Sequence, residues 1–512
     1  MAFFLVCFSL LVLGVLSSYV MQLIADARRG LPPGPWPLPI IGNVLHMSKL
    51  PHRSLARLAD RHGPLMALRL GASLYVVASS PAAAREILQR HNASLSGRSP
   101  ADAWRGAGHG TNSVFVLPPH SSRWRALRRL GAAHLFSPRR MEALLPLRRD
   151  AVGGLLRGVA EQAASGAGAA VAVREAALAA MMRLLWRAMF SDDLDDATFR
   201  ELHDGVSGAV ALVMTPNVSD VFPAVAAADL QGVRRRFAAM VVKGYTMINR
   251  QIERRTRDRR ESDDERGASG NARRNNDLLD VMLDMSSEKK DGGETINHDV
   301  IRAFCMDLLV GASDTSSNTI EWALAELLRH PDAMRRAQDE LSSVIGLRPQ
   351  VQDSDIDNLP YLQAVVKETL RLHSVVPLVS YRAEATVQVH GYTIPEGSNV
   401  MVNLWAIHHS ADVWDEPHKF IPERFLLRRD VDFSGRDFEF LPFGSGRHAC
   451  LGLPLAKKML HVVLGSLLHR FEWALADVAG TGGADMAERF GLVLSLATPL
   501  HVIAKIRLTH ES

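Results

Sequence analysis

Ten residues, Phe443-Gly-Ser-Gly-Arg-His-Ala-Cys-Leu-Gly452, place Cys450 in a glycine-punctuated loop directly before a long apolar run. A cysteine is a useful metal ligand, for iron in particular, only as the thiolate. Amide N–H donors, nearby positive charge and a helix N-terminus all favour that form. This stretch supplies each of them. Gly444, Gly446 and Gly452 let the backbone turn its N–H groups toward the sulfur, Arg447 and His448 bring positive or hydrogen-bonding groups, and Pro454-Leu-Ala-Lys-Lys458 begins a helical pattern. An isolated free cysteine is most often a small buried hydrophobe; the spacing around Cys450 points instead to metal ligation.

Other constellations lie upstream. Gly311-Ala-Ser-Asp-Thr-Ser316 interrupts a long helical pattern with residues that loosen a helix and offer competing hydrogen bonds. Read backward from Thr315 at helical offsets, the same face carries Gly311, then Leu308 or Asp307, then Phe304. Glu368-Thr-Leu-Arg371 sets two opposite charges one turn apart, close enough to pair. About fifty residues later comes Phe420-Ile-Pro-Glu-Arg-Phe425. Trp124-Arg-Ala-Leu-Arg128 puts an aromatic ring and a cation on one helical face. Each has an ordinary structural explanation: a small-residue helix contact, a surface ion pair, a surface stack.

Their order argues for more. The loop pattern F-x-x-G-x-[R/H]-x-C-x-G resembles the haem-binding loop of the cytochrome P-450 superfamily, the haem-thiolate monooxygenases. The resemblance implies haem b (iron protoporphyrin IX) as cofactor and Cys450 as its axial iron ligand, with Phe443, Gly444 and Gly446 in the cofactor cradle. Thiolate ligation pushes electron density onto iron and favours O–O cleavage. The run Gly311–Ser316 is similar to [A/G]-G-x-[D/E]-T-[T/S], which in the superfamily kinks the helix over the haem to admit dioxygen. That implies proton delivery by Asp314 and Thr315, with Phe304, Asp307, Leu308 and Gly311 bordering substrate. Ala312 departs from the usual glycine, and its methyl group would narrow the oxygen groove. The superfamily links its E-x-x-R pair to an arginine in a P-E-R-F-like segment, which gives Glu368, Arg371 and Arg424 a structural role behind the haem. Its W-x-x-x-R holds a haem propionate, here through Trp124 and Arg128. His448, where arginine is frequent, would be a weaker, pH-sensitive propionate partner, and Arg382 a third.

These landmarks run in the superfamily's order across residues 31–452. The run Asp314-Thr-Ser-Ser-Asn-Thr-Ile-Glu-Trp-Ala-Leu-Ala-Glu326 and the segment Leu31-Pro-Pro-Gly-Pro35 resemble the plant microsomal type, similar to the geraniol-hydroxylase-like terpenoid oxidases. What this implies is insertion of one atom of dioxygen into a small lipophilic substrate, with terpenoids ahead of alkaloids and phenylpropanoids. NADPH–cytochrome P-450 reductase would supply the electrons. Arg125, Arg129, Arg139, Arg140, Lys457 and Lys458 could form the basic patch that meets it. A haem-thiolate isomerase or dehydratase would use the same fold without net oxygen insertion, but such enzymes tend to lack the acid–threonine pair. A non-enzymatic haem-binding gas sensor would need neither the threonine nor a reductase.

The elements that must position these residues follow from patterning. With 512 residues, 47% hydrophobic and 22% charged, the chain can bury a large core. It shows no internal repeat, so one large domain, 30–512, is expected, mainly α with a minor β region. The basic residues behind the net charge of +4 are dispersed, which argues against nucleic-acid binding. Cys7, Cys305 and Cys450 lie far apart, suggesting neither a disulfide framework nor a zinc site and placing the body in a reducing compartment. Phe3 to Ile24 carries no charge, about the twenty residues that cross a bilayer core, and Arg28 and Arg29 follow it. Residues 1–29 therefore read as a single-pass signal anchor rather than a cleaved signal peptide, with the body on the cytosolic side; the resemblance to the plant microsomal type implies the endoplasmic reticulum membrane. A Pro-rich hinge over 30–42 excludes helix and fixes the body against lipid. Val213, Met214, Val221 and Phe222 offer a second lipid contact.

Short strands are expected at 65–70 and 74–79 and around the Pro-Glu-Gly turn at 388–402. Helices are expected at 82–91, 123–135, 139–163, 173–190, 198–214 and 297–330. The densely charged stretch 254–276 reads as a solvated loop.

Overall fold

The long helix His298–Arg329 runs through the interior and organises the rest of the chain. Asn297 starts it, its side-chain oxygen accepting the Val300 N–H at 3.0 Å. Apolar side chains surround most of its circumference, so it is buried on nearly all sides rather than amphipathic. Helices Val173–Phe190, Leu453–Arg470, Val233–Arg266 and Pro360–Leu372 pack against it. The expected kink at Gly311–Ser316 does not break it: Thr315 Oγ1 donates to the Gly311 carbonyl at 3.0 Å, and Thr319 Oγ1 to that of Thr315 at 2.9 Å. The computed structural model describes residues 2–165, 170–266, 277–287, 296–476 and 484–507.

The β region is small. Its largest sheet orders Leu65–Leu70, Ser73–Ala78, Asn399–Asn403 and Leu378–Arg382, with one parallel pairing between two antiparallel ones. Val387–Val389 and Tyr392–Ile394 form a separate hairpin. The protein is thus mainly α with minor β, as expected.

Two boundaries differ from the sequence reading. The helix expected over 139–163 is two, Pro138–Ala143 and Leu145–Ala164. Pro146 can open the second, but its ring has no room for the carbonyl four residues back. The stretch 254–276 is no loop over its first half: Val233–Arg266 is helical, and 267–276 lies outside the described residues. Its Arg255 and Arg259 are ion-paired, while Arg257, Arg260 and Glu261 are exposed. Arg255 reaches Asp277 at 2.9 Å and Asp280 at 2.7 Å, and Arg259 reaches Asp280 at 2.6 Å and Asp284 at 2.9 Å.

The N-terminal helix Ala2–Arg29 is long and apolar enough to cross a membrane, and Phe3, Phe4, Leu5, Leu10 and Leu13 are all exposed. Its end is fastened to the body. Asp26 takes two hydrogen bonds from Arg69, both at 2.8 Å, and Tyr19 donates to the Pro37 carbonyl at 2.7 Å. Gly34 crosses the strand Leu65–Leu70 so closely that a Cβ there would sit 1.8 Å from the Ala67 carbonyl oxygen, which only glycine permits. Of the residues expected to touch lipid, Val213 faces an internal cavity and Val221 covers Gly71; Val218, Val225 and Leu230 point outward instead. Deleting residues 1–29 should release the protein from membranes at high salt while the haem expected at Cys450 is still bound, because the contacts of Asp26 and Tyr19 that are lost involve none of the cysteine loop. Loss of haem in the truncated protein would show that anchor and body are inseparable.

Candidate active site

Cys450 sits at the exit of a loop that closes on itself, its N–H donating to the Phe443 carbonyl at 2.9 Å. Gly446, at φ +71°, presses on the Leu88 carbonyl, and a Cβ there would lie 2.3 Å from that oxygen. The helix Leu453–Arg470 starts at once, with Gly452 as its cap. The surrounding protein desolvates the Cys450 thiol and pushes it up. The N–H of Gly452, the Arg128 guanidinium and the N–H of Leu453 draw it down. Those three groups are what a thiolate held by a metal cation would retain.

Above the loop's flank, the helix Ser122–His134 brings Arg128 over the Trp124 ring at 5.1 Å, and Arg128 donates to the Ala449 carbonyl at 2.8 Å. Arg98, absent from the sequence reading, joins them. Its guanidinium donates to the Ser380 carbonyl at 2.9 Å, lies over Tyr381 and contacts His448 Nδ1 at 3.0 Å. Because His448 Nε2 faces the Ser96 carbonyl at 2.8 Å, that nitrogen carries the proton and Nδ1 accepts from Arg98. Burial first, then the Arg98 charge, hold the His448 imidazole down at about 3. His448 is therefore a neutral acceptor orienting Arg98, where a titrating propionate partner was expected. Arg382 ends its strand paired to Gly97 through backbone bonds of 2.9 and 3.0 Å, and its side chain is exposed beside His120, Glu384 and Glu396.

On the long helix, Thr315 and Asp314 occupy adjacent faces. Asp314 accepts from Asn318 Nδ2 at 2.9 Å, and burial pushes its carboxyl up against the pull of Arg174. An apolar cavity lies beside this helix, walled by Trp104, Phe115, Val206, Val213, Met240 and Val310. Asp307 and Met306 complete that wall. At 100° per residue this wall is a quarter to half a turn from Thr315's own stripe. Hence the expected substrate stripe is corrected: Asp307 lines the cavity and Gly311 meets Phe115 from its wall, but Leu308 is buried in the core and the Phe304 ring reaches Gly131. Asp307 is locked in place by Ser113 Oγ at 3.0 Å, the Val114 N–H at 2.6 Å and His109 Nε2 at 3.1 Å. Cys305 is fully buried, and desolvation pushes its thiol up.

Behind the loop, Glu368 and Arg371 are both fully buried and paired twice at 2.8 Å, with Arg424 Nε adding a third bond to Glu368 at 3.0 Å. Arg371 also donates to the carbonyls of His408, Pro417 and Lys419. His408 in turn accepts the Leu441 N–H at 2.9 Å, two residues before Phe443.

Comparison with known proteins decides the family. The chain matches the family described as Cytochrome P-450 over residues 32–495. It is 40% identical to carnosic acid synthase of Rosmarinus officinalis over 97% of this chain and 98% of that one. It is 40% identical to geraniol 8-hydroxylase of Catharanthus roseus, covering 93% and 94% of the two chains. Ferruginol synthase of Salvia miltiorrhiza is 38% identical over 94% and 95%. The chain belongs to the cytochrome P-450 family. As a cytochrome P-450 it is a haem-thiolate monooxygenase with haem b as cofactor.

The residues around Cys450 suit that cofactor. Arg98 Nε and Trp124 Nε1 are buried donors without a protein acceptor, beside the Arg128 guanidinium. Donors left so are costly unless an anionic group takes them, as a carboxylate of the haem edge would. Cys450 would hold the iron, with Arg98, Trp124 and Arg128 on the propionates. Arg98 escaped sequence reading because Ser96-Gly-Arg-Ser-Pro100 has no periodicity to mark it.

Proposed function

We propose that this cytochrome P-450 inserts one oxygen atom into a terpenoid, with electrons from NADPH delivered by NADPH–cytochrome P-450 reductase. Residues 1–29 anchor it in the endoplasmic reticulum membrane and domain 30–512 works on the cytosolic side. The observation that carries the reading is the Asp314–Thr315 pair on the long helix, whose Val310 and Asp307, on the Asp314 face, line a largely apolar cavity. An apolar cavity suits a hydrocarbon skeleton, and the names of the relatives point to terpenoid substrates. An acid–alcohol pair serves oxygen insertion, whereas haem-thiolate isomerases and dehydratases tend to lack it and a gas sensor would not need the threonine. Incubating the enzyme with reductase, NADPH and a panel of terpenes, read by mass spectrometry, tests this; oxygen insertion into none of them, with alkaloids or phenylpropanoids oxidised instead, would overturn the substrate class.

Bound haem supplies the iron on which dioxygen is activated. Thr315 offers the hydroxyl that passes a proton inward, and in its present rotamer it donates to the Gly311 carbonyl, which leaves its oxygen free to accept. Asp314 holds the next proton outward. Ala312 adds a methyl beside this turn. Thr315→Ala should keep haem and substrate binding while product per NADPH falls by up to about a hundredfold, the lower range for losing a proton-transfer group, and free peroxide rises. Unchanged coupling would show that the helix is only a wall.

Of the cations expected to meet the reductase, Arg125, Arg129, Arg139 and Lys457 are exposed, as is Arg447 of the cysteine loop. Lys458 is paired with Asp353 at 2.9 Å, and Arg140 and Arg125 donate to the carbonyls of His134 and His120, so the free patch is smaller than expected. Lys457→Glu combined with Arg129→Glu should slow reduction at low ionic strength by about tenfold or more, a deficit that shrinks with salt. Equal rates at low salt would place docking elsewhere.

A further inference from the structure

The face of the long helix that carries Asp314 continues outward. Asn318 and Glu321 follow at offsets of four and seven, so the three side chains form one stripe. Both are buried, at 0% and 1% exposure. Asn318 Nδ2 donates to the Asp314 carboxylate at 2.9 Å and to the Asp314 carbonyl at 2.8 Å, while Asn318 Oδ1 is buried with no donor. Glu321 Oε1 accepts the Leu500 N–H at 2.9 Å. Its other oxygen, Oε2, is also buried without a hydrogen-bond partner, and Arg174 Nε stands 4.0 Å away.

Two buried acceptor oxygens a single turn apart, neither met by a donor, are costly unless water or a proton fills the gap. A structural bond to Leu500 needs one oxygen, and a glutamine would give it without burying a charge. The carboxyl at this position therefore calls for another explanation. Arg174 opens the helix Val173–Phe190 with its side chain 21% exposed, so the outer end of the stripe reaches solvent there. The inner end is Asp314, whose neighbours on the same face, Val310 and Asp307, line the apolar cavity.

We infer that Glu321 is a second carboxyl in the proton supply of this enzyme, passing protons to Asp314 through water held between Glu321 Oε2 and Asn318 Oδ1, with Arg174 at the solvent mouth. The inference rests on the monooxygenase reading. In the step, the Glu321 carboxylic acid gives its proton to the water and that water gives one to the Asp314 carboxylate. The Glu321 carboxylate then regains a proton from solvent past Arg174. Only O–H bonds form and break, and no electrons move. The charged groups facing Glu321 are Arg174, Arg489 and Asp314. Burial pushes the Glu321 and Asp314 carboxyls up, and Arg174 and Arg489 moderate both. Glu321 touches neither substrate nor haem and is a positioning residue for protons.

The test is Glu321→Gln in the full-length haem-loaded protein, since glutamine keeps the acceptor for Leu500 and cannot carry the proton. Infrared difference spectra of the resting protein at about pH 6, where an ordinary glutamate is ionised, should lose one carboxylic-acid C=O band in the variant. Product per NADPH should fall severalfold with a larger solvent-deuterium effect, while the thermal midpoint stays near that of the parent. Absence of a Glu321 acid band, or its loss with coupling and isotope effect unchanged, overturns the inference. Should Glu321→Gln fail to fold, Arg174→Gln should move the titration of the same band to higher pH, and an unmoved band counts against the route. A parent enzyme that inserts no oxygen would overturn the monooxygenase reading instead, and the infrared band, recorded without turnover, is scored apart from it.

Discussion

Cys450→Ser protein should fold and reach membranes, yet its reduced carbon-monoxide complex should lose the thiolate-type Soret band and product formation should drop to the detection limit. Serine preserves what the loop needs, because the closing bond to Phe443 comes from the backbone of residue 450 and the positive-φ glycines are untouched. It removes the one atom that the N–H groups of Gly452 and Leu453 and the Arg128 charge all address. A neutral hydroxyl is a poor iron ligand beside a thiolate. Persistence of the band in folded Cys450→Ser protein would refute the whole assignment of the site.

Arg371→Ala should cost about 3–5 kcal/mol of stability, as expected when one partner of a fully buried pair is removed. Glu368 would remain buried with only Arg424 and the Ile421 N–H, and the carbonyls of His408, Pro417 and Lys419 would lose their donors. The change should also lower haem content, because His408 links Arg371 to Leu441 at the entrance of the cysteine loop. Thermal denaturation and haem per protein report the two effects. Arg335→Ala is the control: its exposed pairing with Asp332 should be worth about 0–1 kcal/mol. Equal effects from the two variants would remove the distinction between buried lock and surface pair.

Local rules reached far in this chain. The cysteine loop, the long helix and the Glu368–Arg371 turn each sit in one element, so spacing within the element could bring their side chains together, while their roles came from the resemblance. Residues joined only by tertiary approach stayed hidden. Arg98 reaches His448 across 350 positions, and the Ser113 and His109 clasp on Asp307 joins a loop to a helix nearly 200 residues on. The substrate stripe failed for another reason: Thr315's face was followed, while the cavity lies around the helix from it, so Phe304 ended against Gly131. Over 254–266 composition misled as to helix, and the acidic partners beyond 276 that pair with Arg255 and Arg259 lie outside the run itself.

The clasp between Asp26 and Arg69, with Gly34 wedged against Ala67, makes the N-terminal helix a bracket rather than a leash. A leashed body tumbles, and the proposed docking face would meet a reductase held in the same membrane in only a fraction of its poses. A bracketed body keeps that face at fixed height and tilt, leaving rotation about the bilayer normal as its main freedom. Encounter then becomes a search in a plane, and severing the clasp with Arg69→Ala would slow electron arrival while leaving every residue around the cysteine loop in place.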